Sequence, residues 1–131
     1  MASYRELRAW QVAHEMAVGV YRLTAAWPPQ ERYGLTAQVR RAAFSAPANL
    51  VEGSMRRGAR EFRRFADIAF GSISEVEYTL EFAEAIGLEQ PGANVKLKQL
   101  VVSAGQLTCL LARGLDRHSR KGPAPPAEPT R

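Results

Sequence analysis

The side chains best able to do chemistry in this chain are eight arginines that lie between Arg32 and Arg64. The same stretch contains only two acidic residues, Glu52 and Glu61, so its net charge is +6. A guanidinium group forms charge-assisted and often bidentate hydrogen bonds with phosphate oxygens. The local excess of arginine therefore predicts attraction to polyanions, above all to nucleic-acid phosphates.

An acidic block follows the arginines along the chain. Residues 65–90 contain no Lys or Arg and carry a net charge of −6 from Asp67, Glu75, Glu77, Glu81, Glu84 and Glu89. A basic and an acidic block on one chain also favour charge-complementary self-association. Two interpretations of the arginines therefore stay open: contact with nucleic acid, or ion pairs with Glu77, Glu81 and Glu84 of a neighbouring subunit.

The main candidates for phosphate contact surround the start of a predicted helix. Arg56 and Arg57 precede this helix, and three more arginines occupy its first turns. Each cation there opposes the helix macrodipole by about 0.3–1 kcal/mol when exposed, whereas backbone N–H groups and guanidinium forks together suit an anion. The predicted nucleic-acid-binding residues are Arg40, Arg41, Arg56, Arg57, Arg60, Arg63 and Arg64.

Arg40 and Arg41 are secondary candidates within this set. They lie about 100° apart on a predicted helix, so one is expected to face a neighbouring helix and the other solvent. An arginine at a helix interface often pairs with a carboxylate, and Glu52 and Glu75 are the candidate partners. A structural role is therefore the leading interpretation of this pair.

Other reactive residues form no recognisable site. A single cysteine, Cys109, allows neither an internal disulfide nor a cysteine metal cluster. The two histidines, His14 and His118, lack metal-ligand spacing, and no phosphate-binding loop, dinucleotide motif or catalytic triad is recognisable. We therefore expect a protein that is not an enzyme and has no cofactor and no metal.

The amino-acid composition indicates where in the cell the protein is expected. The chain is 46% hydrophobic and 24% charged, which is ordinary for a soluble globular protein. No apolar run approaches the roughly 20 residues of a membrane span, and Met1–Leu7 has no signal-peptide hydrophobic region. We expect a cytoplasmic protein with no membrane partner.

Four helical segments must position these residues. Apolar residues recur at three- and four-residue steps over about residues 4–26, 35–53, 59–86 and 94–117. Pro47 predicts a kink in the second segment, or a new helix that begins at Ser45. Short connections predict an all-α, antiparallel, up-down-up-down four-helix bundle over residues 1–118. The Pro-rich residues 119–131 are predicted to be disordered.

The first helical segment carries two apolar stripes, whereas a surface helix normally carries one. This pattern predicts burial on two sides, within the bundle and against another chain. The residues predicted to lie at an oligomer interface are Trp10, Met16 and Trp27.

Several short strings within about residues 4–117 are distinctive. They are Tyr4-Arg5-Glu6-Leu7 with Trp10, Glu31-Arg32-Tyr33-Gly34-Leu35, Gln38-Val39-Arg40-Arg41-Ala42, Asn49-Leu50-Val51-Glu52-Gly53, Arg56-Arg57, and Phe65 and Ala69 with Gly71-Ser72. They resemble a bacterial family of four-helix bundle proteins encoded in intervening sequences of large-subunit ribosomal RNA genes. One departure is Ser45-Ala46-Pro47, where the family usually has Ser-Ile-Pro.

This resemblance implies properties beyond the residue pattern. The family is similar in fold to the accessory variability determinant of diversity-generating retroelements. It implies a homopentamer of four-helix bundles with a basic surface for nucleic acid, and in the retroelement relatives the pentamer binds a reverse transcriptase and RNA. We therefore expect a homo-oligomeric accessory protein that binds RNA or DNA phosphates. The alternative is a scaffold or adaptor for a protein partner such as a reverse transcriptase, with the arginines in inter-subunit ion pairs.

Overall fold

Four α-helices make up the part of the chain that the structure describes, and each begins and ends close to a signal in the sequence. The computed structural model describes residues 3–120. Ser119 and Arg120, predicted to belong to the disordered tail of residues 119–131, are instead the last two residues of the fourth helix, and the rest of that tail lies outside the described residues. The helices are α1 (Arg8–Thr24), α2 (Leu35–Ser54), α3 (Ala59–Ala85) and α4 (Val95–Arg120). Short 3-10 turns at Tyr4–Glu6 and Pro29–Glu31 flank α1. With no strand between residues 3 and 120, the all-α prediction is confirmed.

Proline and glycine residues account for the helix boundaries. Pro28 and Pro29 follow α1 and disfavour helical backbone before them. Gly58 precedes α3 with φ of +86°, a conformation that glycine adopts without strain. By contrast, α2 continues through Pro47, so the alternative of a new helix beginning at Ser45 is wrong.

The four helices pack as a bundle in which α1 and α3 each contact both α2 and α4. The α1–α2 face and the α3–α4 face consequently lie on opposite sides of the molecule. Contacts in two helix pairs show that the paired helices run in opposite directions. They are Gln38–Glu75 and Gly53–Phe62 between α2 and α3, and Arg63–Asp116 and Glu84–Lys98 between α3 and α4.

One of the two apolar stripes of α1 faces the core of the bundle. Two residues predicted to lie at the oligomer interface belong to this stripe. Met16 has an exposed fraction of 0% within the single chain. Trp27 is also buried, and its indole N–H donates a 2.6 Å hydrogen bond to Glu89. The prediction of Met16 and Trp27 as interface residues is therefore wrong, because their stripe faces the bundle interior. Trp10, on the other stripe, stays half-exposed.

The contact between α2 and α3 depends on glycine at position 53. A Cβ atom there would lie 2.8 Å from Phe62 Cδ1 and 2.8 Å from Phe65 Cβ. We expect Gly53→Ala to lower the free energy of unfolding by about 1–3 kcal/mol, because overpacking outweighs the gain in helix propensity. Gly71→Ala is the matched control, since nothing lies within 4 Å of its added Cβ. Urea denaturation should show Gly71→Ala to be as stable as the wild type or more so, and equal stability of the two variants would contradict the packing account.

Candidate nucleic-acid interface

Four exposed arginines surround the connection between α2 and α3, and we call them the corner cluster. They are Arg56, Arg57, Arg60 and Arg64. The turn at Gly58 brings the end of α2 next to the start of α3, and no side chain caps the first N–H groups of α3. The corner therefore combines guanidinium groups with the positive end of a helix dipole.

The carboxylates near the corner cluster neutralise it only in part. Arg56 pairs with Glu52 at 2.5 Å, and Arg64 pairs with Glu61 at 3.4 Å. Both pairs are exposed and lie within one helix turn, an arrangement that contributes little free energy in water. Arg57 and Arg60 form no ion pair with any residue from 3 to 120. Arg56 and Arg64 can exchange their weak ion pairs for contacts with phosphate oxygens. Arg57 and Arg60 can make such contacts without breaking an ion pair of the described residues.

The aromatic ring of Phe65 contacts two arginines of the corner cluster. The guanidinium carbons of Arg56 and Arg64 lie 5.3 Å and 4.9 Å from the centroid of the Phe65 ring. Such cation–π contacts contribute about 0.5–1 kcal/mol at exposed sites. Phe65 is itself fixed against Gly53 of α2. The ring thus holds two like charges near one another without a buried carboxylate between them.

Arg63 has a different role from its neighbours. Its Nε lies 3.2 Å from Asp67, and one terminal nitrogen lies 2.9 Å from Asp116 of α4. Its side chain is 34% exposed, less than those of Arg56 and Arg64. Two carboxylates on the α3–α4 side satisfy this guanidinium, so the placement favours a structural role for Arg63 over the predicted phosphate contact.

Arg40 faces a neighbouring helix and Arg41 faces solvent, as their spacing predicts. The partner of Arg40 differs from the predicted one. Arg40 donates 2.7 Å and 3.1 Å hydrogen bonds to the Thr24 hydroxyl and the Tyr21 carbonyl, and its guanidinium lies over the Tyr21 ring. Arg40 thereby donates a hydrogen bond to a backbone carbonyl in the last turn of α1. The predicted carboxylate partner of Arg40 is wrong, because oxygen atoms of α1 take that place. Arg41 is exposed on the α2–α3 side.

The acidic block is partly engaged within the chain. Glu84 pairs with Lys98, and Asp67 pairs with Arg63. Glu77 and Glu81 are exposed. Of the three glutamates predicted as inter-subunit partners of the arginines, Glu84 therefore already has a partner on its own chain.

Comparison with known proteins identifies the family. The family described as 23S rRNA-intervening sequence protein matches residues 5–120. The chain belongs to that family. The match covers all four helices and the corner cluster, so the resemblance seen in the sequence is confirmed.

A solved structure supports the fold of this intervening-sequence protein. The crystal structure of a protein of unknown function from the S23 ribosomal protein family of Bacteroides thetaiotaomicron has a TM-score of 0.58 and 18% sequence identity. The similarity covers 83% of this chain and 95% of that chain. At this identity the likeness shows a common fold. No curated protein matches the chain.

Residues 3–120 of this intervening-sequence protein form two large apolar grooves between neighbouring helices. The groove between α1 and α2 has a volume of about 760 Å³, and Trp10, Tyr21, Phe44 and Val51 are among its lining residues. A second groove of about 550 Å³ lies between α3 and α4 beside Phe70, Val102, Cys109 and Leu110. Phe44 and Leu110 are 64% and 59% exposed. The sequence signal for the first groove was the stripe of α1 that contains Trp10, together with Phe44 and Val51 at a seven-residue spacing on α2.

The helices from residue 3 to residue 120 lack two further kinds of feature. Between residues 3 and 120, no group of three or more His, Cys, Asp or Glu side chains is arranged to hold a metal ion. None of the helices in this range combines the length and apolar composition that crossing a bilayer requires.

Proposed function

We propose that this intervening-sequence protein is a non-enzymatic accessory protein that binds RNA or DNA through its corner cluster. The observation that carries the proposal is the exposure of four guanidinium groups on one corner, two of them outside any ion pair of the described chain. Contacts with phosphates position a protein on nucleic acid without reading its sequence. The binding is therefore expected to depend strongly on salt and weakly on sequence.

Self-association is the second part of the proposal. The α1–α2 and α3–α4 grooves differ in volume and in lining residues, and they lie on opposite faces of the bundle. Contact between two different faces of identical subunits is heterologous, and it closes into a ring when the rotation allows. The family resemblance implies five subunits. A ring repeats the corner cluster by symmetry, and several weak phosphate sites on one assembly bind a polyanion more tightly than one site does.

A protein scaffold is the second candidate function. It is favoured by the size of the α1–α2 groove and by the exposure of Glu77 and Glu81. In that case the groove receives a protein partner such as a reverse transcriptase. Arg57 and Arg60 then pair with Glu77 and Glu81 of a neighbouring subunit, which leaves little positive surface for nucleic acid.

The salt dependence of binding separates these candidates. Release of counterions from single strands gives log K a slope of about −0.7 against log salt for each phosphate neutralised. Four engaged arginines on one chain therefore predict a slope of about −3 or steeper. Fluorescence anisotropy with a labelled single-stranded RNA between 50 and 300 mM salt would measure it. No measurable binding, or a slope near zero, would favour the scaffold.

A further inference from the structure

A polar pocket lies between α2 and α3, away from both apolar grooves. It has a volume of about 380 Å³, and its lining includes Tyr33, Gln38, Arg41, Ser45, Ser72 and Glu75. We infer that this pocket binds an unpaired guanine base of a single-stranded nucleic acid. The inference rests on the proposed function and adds base recognition to it.

The pocket presents a hydrogen-bond donor beside a carboxylate. The Gln38 side-chain amide donates to Glu75 Oε1 at 3.4 Å, which is long for a hydrogen bond and easily exchanged. The Watson–Crick edge of guanine carries the O6 acceptor followed by the N1–H and N2–H donors. Gln38 can donate to O6 while both oxygens of Glu75 accept from N1–H and N2–H. Among the common bases, guanine alone offers a carboxylate two adjacent donors of this kind, and bidentate bonds to a charged group are the strong ones.

The rim of the pocket provides a stacking surface and a cation. The Tyr33 side chain is 87% exposed, and the Arg32 guanidinium lies 5.5 Å from its ring centroid. Exposed aromatic rings are the usual platforms for unpaired bases. Arg41 is also exposed and forms no ion pair with another described residue. It is placed to contact the phosphate of a nucleotide whose base lies against Glu75.

The floor of the pocket is held by hydrogen bonds between the two helices. Ser72 of α3 donates to the Ser45 hydroxyl of α2 at 3.0 Å, and the Asn49 side-chain amide also donates to that hydroxyl at 3.0 Å. These bonds fix α2 relative to α3 in the same pocket that Gln38 and Glu75 line. The backbone positions that carry Gln38 and Glu75 are therefore fixed before a ligand arrives, which lowers the entropic cost of binding.

The pocket and the corner cluster lie along the same helix, α3. Arg64 and Glu75 are 11 residues apart on α3, so they differ by about 20° in direction and by about 16 Å along the helix axis. A few nucleotides of single strand span this distance, so one strand can place phosphates on the corner cluster and a base in the pocket.

Nucleotide titrations of the full-length, isotope-labelled protein test the inference. Guanosine 5′-monophosphate should shift the backbone amide signals of Ala37, Ala42 and Ser72, and adenosine 5′-monophosphate should bind about fivefold more weakly or worse. Glu75→Gln should reduce this preference to less than twofold. Glu77→Gln should retain it, since Glu77 lines the α3–α4 groove. Absence of shifts at the pocket, or equal affinity for the two nucleotides, would overturn the inference.

A strand experiment separates this inference from the proposed function. An adenine-only RNA hexamer is compared with the same hexamer carrying one central guanine, with wild type and Glu75→Gln. The guanine-containing strand should bind about fivefold more tightly or better to the wild type, and equally to the variant. Salt-dependent binding of both strands with no guanine preference would leave the proposed function intact and refute the pocket. Failure of both strands to bind while guanosine monophosphate occupies the pocket would support the pocket and refute the function.

Discussion

Simultaneous replacement of Arg57, Arg60 and Arg64 by glutamate is expected to weaken single-stranded RNA binding by at least about 100-fold. A hydrogen bond between charged groups contributes about 1.5–3 kcal/mol, and three such contacts exceed this loss even when discounted for exposure. The substitutions also place negative charge where phosphates would lie. Fluorescence anisotropy at a fixed low salt concentration measures the change.

The same variant is expected to fold as well as the wild type. Arg60 is the second residue of α3, where a cation opposes the helix dipole and a carboxylate complements it by about 0.3–1 kcal/mol. None of the three replaced side chains is buried. The melting temperature should therefore stay within a few degrees of the wild type while binding is lost, because the gain at Arg60 roughly offsets the loss of the Arg64–Phe65 contact. A variant that keeps its RNA affinity within threefold of wild type would contradict the role of the corner cluster.

Two single substitutions, one at Arg60 and one at Lys96, provide the matched control for this experiment. Lys96 is the second residue of α4, as Arg60 is of α3, and both are exposed. Glu84–Lys98 pairing places the start of α4 beside the end of α3, far from the corner cluster. Arg60→Glu and Lys96→Glu thus make the same charge change at equivalent helix positions. Arg60→Glu should weaken RNA binding several-fold more than Lys96→Glu, whereas equal losses would indicate an effect of net charge alone.

Phe44→Glu is expected to convert an assembled protein into folded monomers of 14.5 kDa. Phe44 is 64% exposed in the α1–α2 groove, so a carboxylate there disturbs the single chain little. In an assembly that covers this groove, an unpaired buried carboxylate costs about 3–5 kcal/mol at every interface. Sedimentation or light scattering gives the mass, and circular dichroism confirms that the helices persist.

Complementation distinguishes a ring from a symmetric dimer. Leu110→Glu changes the α3–α4 groove in the same way, and it should also produce monomers. A mixture of the Phe44→Glu and Leu110→Glu proteins retains one intact pair of faces, so it should form a dimer of about twice 14.5 kDa. Tyr33→Glu, at an 87% exposed position outside both grooves, should leave the assembly unchanged. A wild type that is monomeric at micromolar concentration would contradict the proposed assembly.

The helices could be predicted from the sequence because local signals agree with the packing. Three- and four-residue apolar spacing located all four helices. Pro28, Gly58 and Gly87 lie at the ends of helices and restrict or release the backbone there. Pro47 misled in part, since proline favours a helix start and α2 nevertheless continues through it. Its side chain is buried, and the helix is continuous on both sides of it.

The partners of individual side chains could not be predicted because they depend on how the helices dock. Spacing separates Arg40 from Arg41 by direction, but it does not reveal that backbone at the end of α1 would accept from Arg40. The pairing of Arg63 with Asp116 depends on the docking of α4 in the same way. Similarly, two apolar stripes on α1 do not indicate which one faces inward, so the stripe pattern alone does not show that Met16 lies in the core.

Side-chain nuclear magnetic resonance tests the central claim most directly, since each arginine Nε–H group gives its own signal. On addition of single-stranded RNA at low salt, the signals of Arg57, Arg60 and Arg64 should shift and return when salt is raised. The Nε–H signal of Arg40, which is hydrogen-bonded to Thr24, should not move. RNA that binds without shifting the corner-cluster signals would contradict the account.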